Sequence, residues 1–290
     1  MLRLSKGRKA SFEAFRYLSV IATAFGVAIF AAILTFVLVR GAGALSIDFL
    51  FGEYGETPSV LPAILGTLQL VLVSILIALP IGIGTAIFLS EYTQNSSKPA
   101  KFIRLCVETL ASIPSIVYGI FGYLVFVVGF YIGDIKFFGW GYSLMGGGLT
   151  LAIMILPLIV KSTEEALREV PNALREASFA LGAGKAKTVF SVVLPSAAPG
   201  ILTSVILSVG RVVSESAVLL LTIGMVVNLV PTGPMSSGTS LALDVYYFST
   251  YGYAKEAGAT SFVLMVLVLA LNLLAYVLMR LLKGKRHGNE

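Results

Sequence analysis

Apolar residues form six long stretches along this chain, separated by polar connections. Each stretch carries few or no charges and approaches or exceeds the ~20 apolar residues that a helix needs to cross a bilayer core of ~30 Å. The strands of a β-barrel would be shorter and would alternate in polarity. The pattern therefore predicts an all-α polytopic membrane protein with six transmembrane helices, at residues 17–39, 63–90, 105–131, 143–161, 196–223 and 259–281.

The composition agrees with a membrane protein. Hydrophobic residues make up 57% of the chain and charged residues 12%, whereas a soluble domain carries about 25% charged residues. We expect membrane lipid to surround the domain at 17–282, with a basic segment at 1–16 before it and a tail at 283–290 after it. A single cysteine, Cys106, and a single histidine, His287, predict neither an intrachain disulfide nor a His/Cys metal site. We expect no cofactor.

The net charge of +6 could indicate a nucleic-acid partner, but its distribution points to a membrane topology instead. The basic residues cluster in the two terminal segments and in the second and fourth connections, and the other connections carry more acidic residues. By the positive-inside rule, both termini are expected in the cytoplasm, which requires an even number of spans. The clustered residues are Arg3, Lys6, Arg8, Lys9, Arg16, Lys98, Lys101, Arg104, Lys161, Arg168, Arg175, Lys185, Lys187, Arg280, Lys283, Lys285 and Arg286.

The connection at 162–195, between the fourth and fifth predicted spans, is expected to contain a short amphipathic helix. Leu174, Ala177 and Leu181 recur at helical spacing after Pro171 and form a narrow apolar stripe. Gly182 follows the stripe, as glycine often follows the end of a helix. Such a helix could lie on lipid headgroups, or it could fill a groove in a partner protein.

The spacing of residues in this connection resembles the EAA loop of ABC-transporter permeases. In that family the loop forms a coupling helix that docks into a separate ATP-binding subunit, so the resemblance implies a non-catalytic permease. The chain carries no P-loop of its own, because Phe179 and Ala186 replace the first glycine and the hydroxyl residue of that motif. The residues that carry the resemblance are Glu176, Ala177, Ser178, Gly182, Leu194 and Pro195.

Two charges interrupt the fifth predicted span, Arg211 and Glu215. An arginine within a membrane costs roughly 3 kcal/mol on insertion scales and therefore calls for an explanation. The two side chains could neutralise each other as an i,i+4 ion pair, although glutamate before arginine is the more favourable order. Alternatively, Arg211 could line an anion path, with Glu215 tuning it and Ser214 allowing another helix to approach closely. Ser115 and Tyr118, at a break in the third span, could line the same path or could serve helix packing.

Three longer motifs make the resemblance more specific. They are similar to the permeases of phosphate-specific ABC importers, and closest to the PstA-type subunit. The family's usual Gly-Glu-Thr-Ala is Ser214-Glu215-Ser216-Ala217 here, and both changes keep small residues. The motifs are Ile113-Pro-Ser-Ile-Val-Tyr-Gly-Ile-Phe-Gly122, Leu156-Pro-Leu-Ile-Val-Lys-Ser-Thr-Glu-Glu-Ala-Leu-Arg-Glu-Val-Pro171 and Gly210-Arg-Val-Val-Ser-Glu-Ser-Ala-Val-Leu-Leu220.

This resemblance implies an importer of inorganic phosphate in the inner membrane of a prokaryote, with Arg211 and Glu215 as the charges that transport requires. The partners it implies are two copies of an ATP-binding subunit, an extracytoplasmic phosphate-binding protein and a second permease subunit. That second subunit could be a PstC-type chain or another copy of this one. A sulfate or molybdate importer of the same architecture and an ion-coupled secondary transporter remain alternatives. Residues 225–258 could form a re-entrant element or an outer docking platform.

Overall fold

The computed structural model describes residues 6–52, 58–93 and 97–287, and helices dominate these ranges. Three π-helical segments lie within them, at Phe88–Tyr92, Tyr123–Val128 and Val189–Val193, and a short antiparallel hairpin pairs β1 (Phe130–Ile132) with β2 (Ile135–Phe137). The α-helices are α1 (Lys6–Ala42), α2 (Ile47–Phe51), α3 (Leu61–Ile87), α4 (Lys98–Ser112), α5 (Ser115–Gly122), α6 (Leu144–Arg168), α7 (Asn172–Ala180), α8 (Lys185–Thr188), α9 (Leu194–Val213), α10 (Ala217–Thr222), α11 (Leu241–Thr250) and α12 (Ala254–His287).

Five helices in the described part of the chain are long and apolar enough to cross a membrane, and a bent pair supplies a sixth span. The prediction of an all-α polytopic fold with about six spans is therefore confirmed. The bent pair comprises Lys98–Ser112 and Ser115–Val128, which meet at 100°. The continuous helices are Phe15–Ala42, Leu61–Tyr92, Leu144–Arg168, Lys185–Val213 and Ala254–Val277.

The third predicted span, 105–131, is interrupted in the structure, as the sequence predicted. The predicted break lies at Ile113 and Pro114, both of which have extended backbone, because a proline disfavours the helical region for the residue before it. The far end differs as well. The helix stops at Gly129, whose φ of +79° favours glycine, and the exposed hairpin follows. Sequence periodicity gave no sign of these strands, since each has only three residues.

The fifth predicted span, 196–223, is displaced along the chain. Its helix begins at Lys185 and ends at Val213, and residues 214–216 turn before α10 begins. The Ser214 hydroxyl donates to the carbonyl oxygens of Gly210, at 2.9 Å, and Arg211, at 3.2 Å. The backbone N–H of Ser214 still donates to Gly210 at 3.2 Å. That of Glu215 donates to Val212 in a tighter turn, and the helix ends there.

The fourth span continues to Arg168, seven residues beyond the predicted boundary at 161. An ion pair of 2.7 Å between Arg168 and Glu164 spans one helical turn, and the opposite face buries Ala166 and Leu167. The polar sequence of this segment suggested a loop, whereas its burial pattern is that of an amphipathic helix.

Spans α3 and α6 form the centre of the bundle. They approach closely where Gly82 faces Ile159, and a Cβ on Gly82 would lie 2.6 Å from a side-chain carbon of Ile159. The hydroxyl of Ser74 donates to the carbonyl oxygen of Gly148 at 3.1 Å across the same interface. A hydrogen bond between spans is useful here, because a bilayer offers no hydrophobic drive for two apolar helices to associate.

Residues 225–258 fold back against the bundle. The backbone N–H of Leu241 donates to the Thr67 hydroxyl at 2.9 Å, and Gly66 leaves room for the carbonyl oxygen of Thr239. Helix α11 therefore packs on the start of α3, and both alternatives for residues 225–258, a re-entrant element and an outer docking platform, remain predictions.

Asp244 lies in the first turn of α11, outside the spanning helices, and is fully buried. One carboxyl oxygen accepts a hydrogen bond from Thr239, and the other has no partner among the described residues. Burial raises the pKa of Asp244 to about 7, and the Thr239 hydrogen bond opposes this increase. A carboxyl group in such a site is stabilised in its neutral form.

The raised pKa predicts a pH dependence of folding stability. A carboxyl group whose pKa is higher in the folded state stabilises the protein at low pH, and this contribution is lost as the pH rises through the folded-state value. Between the ordinary aspartate pKa of about 3.9 and the folded-state value, this contribution falls by at most about 1.4 kcal/mol per pH unit, and above the folded-state value it changes no further. Asp244→Asn should flatten the slope. Thermal unfolding in detergent between about pH 5 and about pH 7 measures it, and Asp134→Asn on the exposed hairpin is the matched control. Equal slopes for Asp244→Asn and the parent protein would contradict the assignment.

Candidate functional site

Arg211 occupies the last turn of α9. The carbonyl ends of a helix favour a cation at this position. Its side chain remains 54% exposed and lines a cavity of about 360 Å³. The guanidinium is therefore not enclosed by the other described residues of this chain.

The cavity around Arg211 lies between the broken third span and α6. Its walls are mostly apolar, but they include a second cation, Lys161. Two cations on one largely apolar cavity can bind an anion more strongly than in water, because the local dielectric constant is lower. The lining residues are Leu110, Ala111, Ile113, Tyr118, Met154, Ile155, Pro157, Leu158, Lys161 and Arg211.

Lys161 was assigned from the sequence to the cytoplasmic connection, and its place in the site was missed. It lies within α6, because that helix continues to Arg168. A helical reading of 156–168 was the signal that could have revealed it, since Leu158 and Lys161 are three residues apart and share one face.

Lys161 also lines a second cavity, of about 290 Å³. There Arg104 and Glu164 form an ion pair of 2.9 Å. Lys161 therefore links the Arg211 cavity with a charged cavity nearer the amphipathic helix α7. The second cavity is lined by Leu89, Arg104, Val107, Glu108, Val160, Lys161, Glu164, Glu165 and Arg168.

The structure brings only one of the predicted polar side chains onto the Arg211 cavity. The ring of Tyr118 lines it, and the Tyr118 hydroxyl donates to the carbonyl oxygen of Leu110 at 2.7 Å. That bond closes the bend between α4 and α5, so Tyr118 also serves packing. Ser115 and Ser214 are not among the lining residues. The Ser214 hydroxyl is bound to its own helix.

Glu215 lies in the turn after α9 and is buried, with 8% of its side chain exposed. One carboxylate oxygen accepts the backbone N–H groups of Ala217, at 3.1 Å, and Val218, at 3.4 Å. The other oxygen lies 3.8 Å from the Arg211 guanidinium. Glu215 therefore caps α10 and contacts Arg211 only loosely, a geometry that the sequence did not suggest.

Helix α7 follows Pro171 and is the predicted amphipathic helix. Its outward side chains include Glu176 and Ala177, both exposed, and Phe179 at 47% exposure, and Leu181, directly after the helix, is 89% exposed. Exposed apolar side chains on a polar helix are typical of a surface that a partner covers. The helix is followed by Gly182, whose φ of +82° suits glycine.

The remaining residues of the EAA pattern hold α7 against the start of the fifth span. The Ser178 hydroxyl is buried and lies 2.9 Å from that of Thr188. Leu194 packs against a buried apolar cluster, and Pro195 lies in the first turn of α9. The π-helical turn at Val189–Val193 directly precedes them. Pro195 has no backbone N–H, so it cannot donate the regular helical hydrogen bond to a carbonyl oxygen of that turn.

Apolar spans, a cavity with two cations and an exposed helix between the fourth and fifth spans define a membrane transport subunit. Residues 78–287 match the family described as binding-protein-dependent transport system inner membrane component. The match covers more than half of the chain, and the chain belongs to this family. Members are the permease subunits of ABC importers, in which a separate subunit hydrolyses ATP. An EAA motif and a coupling helix are typical of the family.

Two relatives cover most of this chain. The probable ABC transporter permease protein YqgI of Bacillus subtilis (strain 168) is 35% identical over 86% of this chain and 88% of its own length. The phosphate transport system permease protein PstA of Pasteurella multocida (strain Pm70) is 34% identical over 87% of this chain and 89% of its own length. These similarities confirm the predicted resemblance to PstA-type ABC permeases.

A solved structure supports the fold. A permease chain of a bacterial alginate ABC transporter, crystallised with a pentasaccharide-bound periplasmic protein, superposes with a TM-score of 0.65. The match covers 94% of this chain and 96% of that chain at 16% identity. The architecture is therefore shared between permeases whose sequences have diverged widely.

The geometry of Glu215 predicts different effects for two substitutions. Glu215→Ala removes the cap of α10 and should lower the free energy of unfolding by about 1 to 2 kcal/mol. Glu215→Gln keeps an oxygen that can accept the same N–H groups, and loses only the loose ion pair, so we expect less than half of that effect. Thermal unfolding of the two variants in detergent is the measurement. Equal destabilisation would show that the charge of Glu215, and not the cap, stabilises the turn.

Proposed function

We propose that this chain is a transmembrane subunit of an ATP-driven importer that moves inorganic phosphate into the cell. The observation that carries the proposal is the convergence of Arg211 and Lys161 on one cavity inside the bundle. Phosphate presents several negatively charged oxygens, and it would replace the water around both cations.

The two cations suit a tetrahedral oxyanion in different ways. The planar guanidinium of Arg211 can bind two oxygens at once, whereas Lys161 contributes a compact positive charge. The rest of the cavity wall is mostly apolar, so the two cations would provide most of the attraction for a bound anion. Because Glu215 directs one carboxylate oxygen to backbone N–H groups, it leaves much of the Arg211 guanidinium free for the anion.

Similarity to a phosphate permease supports phosphate over other anions. The PstA relative from Pasteurella multocida matches over 87% of this chain. The alginate transporter shares the fold but is only 16% identical. Fold alone therefore leaves the substrate undetermined, and the sequence similarity favours phosphate.

The assembly that we propose places α7 on a cytoplasmic ATP-binding subunit, of which the complex holds two copies. Glu176, Ala177 and Ser178, with Gly182, Leu194 and Pro195, form and position the contact. A second permease, either a PstC-type chain or another copy, completes the pore, and an extracytoplasmic binding protein delivers phosphate. Both termini then lie in the cytoplasm, and the complex lies in the inner membrane of a prokaryote.

Transport in this assembly alternates between two openings. Closure of the ATP-binding subunits would open the Arg211 cavity outward, and ATP hydrolysis would return it inward. Lys161 lies between the Arg211 cavity and the charged cavity near α7. A phosphate ion that leaves Arg211 would thus meet a second cation on its way to the cytoplasm.

The proposal predicts that both cations are required for uptake. In cells without their own phosphate permeases, supplied with this chain and its cognate partners, Arg211→Ala should lower radiolabelled phosphate uptake about tenfold or more, since a hydrogen-bonded charge is lost. Lys161→Ala should lower uptake in the same way, and Lys161→Arg should retain most of it because the positive charge remains. Lys136→Ala on the exposed hairpin is the control.

Purification of the assembled complex separates transport effects from assembly effects. If Arg211→Ala assembles and still takes up phosphate at the normal rate, Arg211 has a structural role and is not required for transport. An excess of unlabelled sulfate tests the substrate class. If sulfate abolishes phosphate uptake, the chain belongs to an importer of a wider oxyanion class.

A further inference from the structure

Arg175 of α7 makes several hydrogen bonds through its guanidinium, and these bonds reach two other parts of the chain. Its Nη2 atom donates to Glu91 Oε1 at 2.6 Å, and its Nε atom donates to Glu91 Oε2 at 3.3 Å. The pair is largely shielded, with 15% of the Arg175 side chain and 8% of the Glu91 side chain exposed. A two-point contact of this kind fixes orientation as well as distance.

The same guanidinium also binds the end of α6. It donates to the carbonyl oxygens of Leu167, at 2.9 Å, and Val170, at 2.7 Å. The last carbonyls of a helix lack partners within the helix, and Arg175 binds one of them, that of Leu167, together with the Val170 carbonyl just beyond the helix. Arg175 therefore joins α6, α7 and the π-helical end of the second span, where Glu91 lies.

A second contact links the same elements. The ammonium group of Lys185, at the start of α8, lies 5.2 Å from the ring centroid of Tyr92, which directly follows Glu91. A cation over an aromatic face at this distance is attractive. The segment from α7 to α8 is thus attached to the end of the second span on two sides, in addition to its covalent connections with α6 and α9.

The second span packs on α6, and α6 forms one wall of the Arg211 cavity. Gly82 fits against Ile159, and Ile159 lies two residues before Lys161. Packed helices of this kind move together, because a close-packed interface resists deformation. A displacement of the Glu91 end would therefore be carried to the wall of the cavity.

We propose that Arg175 and Glu91 are positioning residues that join the coupling helix to the second span, so that both move as one body when the ATP-binding subunits close. The proposal rests on the proposed docking of α7 to those subunits. Without the Arg175–Glu91 contact, α7 would still bind its partner, but its movement would reach the cavity only through the covalent connections at its ends.

The test follows the cavity directly and does not depend on the identity of the substrate. Met154 lines the Arg211 cavity, so Met154→Cys in a Cys106→Ser background provides one thiol there. In the purified complex with its ATP-binding subunits, labelling by a water-soluble maleimide is timed with and without ATP plus vanadate. The parent should show a change in rate of about fivefold or more, the lower range of a typical coupling between sites.

Glu91→Gln and Arg175→Lys should each reduce this ATP-dependent change to less than about twofold, while the complex remains assembled and continues to hydrolyse ATP. Lysine keeps the charge but lacks the planar set of donors that reaches both Glu91 and the α6 carbonyls. Glu169→Gln, an exposed carboxylate at the end of α6, is the matched control and should behave as the parent does.

Three results would overturn the inference. The first is an ATP-dependent change in labelling rate that is as large in both variants as in the parent. The second is the absence of such a change in the parent. The third is a variant that loses the change only because its complex no longer assembles. Phosphate flux through the parent complex in vesicles is measured separately. Absence of that flux would contradict the proposed substrate, whereas the labelling result would still decide the role of Arg175 and Glu91.

Discussion

A bilayer offers no water to the backbone, so each interruption of a spanning helix must be satisfied by the protein itself. The arrangement of this chain depends on that constraint at two interruptions. In the third span, the Tyr118 hydroxyl binds the Leu110 carbonyl oxygen across the bend. After the fifth span, Glu215 binds the N–H groups that begin α10. These bonds allow two helices to end inside the bundle, and the Arg211 cavity lies between the ends.

The constraint also explains why an acid and a base lie so close together yet interact loosely. The carbonyl groups at the end of α9 favour the cation of Arg211 in its last turn, and the N–H groups at the start of α10 favour the acid Glu215. Each charge is thus stabilised by a different helix end. The two charges therefore do not need a close ion pair, and they lie 3.8 Å apart. The exposed guanidinium could still bind an anion.

The spans and the amphipathic helix could be predicted from the sequence, because apolar length and helical spacing are local properties. Glu176, Ala177 and Ser178 lie on α7, and Gly182 follows it with the expected backbone conformation. Lys161 could not be recognised in the same way. Its place in the site depends on where α6 ends, which a charged sequence obscures, and on packing against the bent third span. The hairpin at 130–137 was missed because its strands are too short for alternation to appear.

The break after α9 lies next to Arg211, one of the two cations of the cavity, but breaks in helices also divide the bundle into pieces that could move independently. The contacts near α7 counter this tendency at the opposite end of the spans. Arg175 binds the last carbonyls of α6 and the acid at the end of the second span within one planar group, so three elements share a single rigid junction. A transporter needs both interrupted helices and rigid junctions. The interruptions let the cavity change shape, and the junctions carry the movement of one element to the next. In this chain the interrupted helices surround the Arg211 cavity, and the helix ends that Arg175 joins lie beside α7, the proposed contact with the ATP-binding subunit.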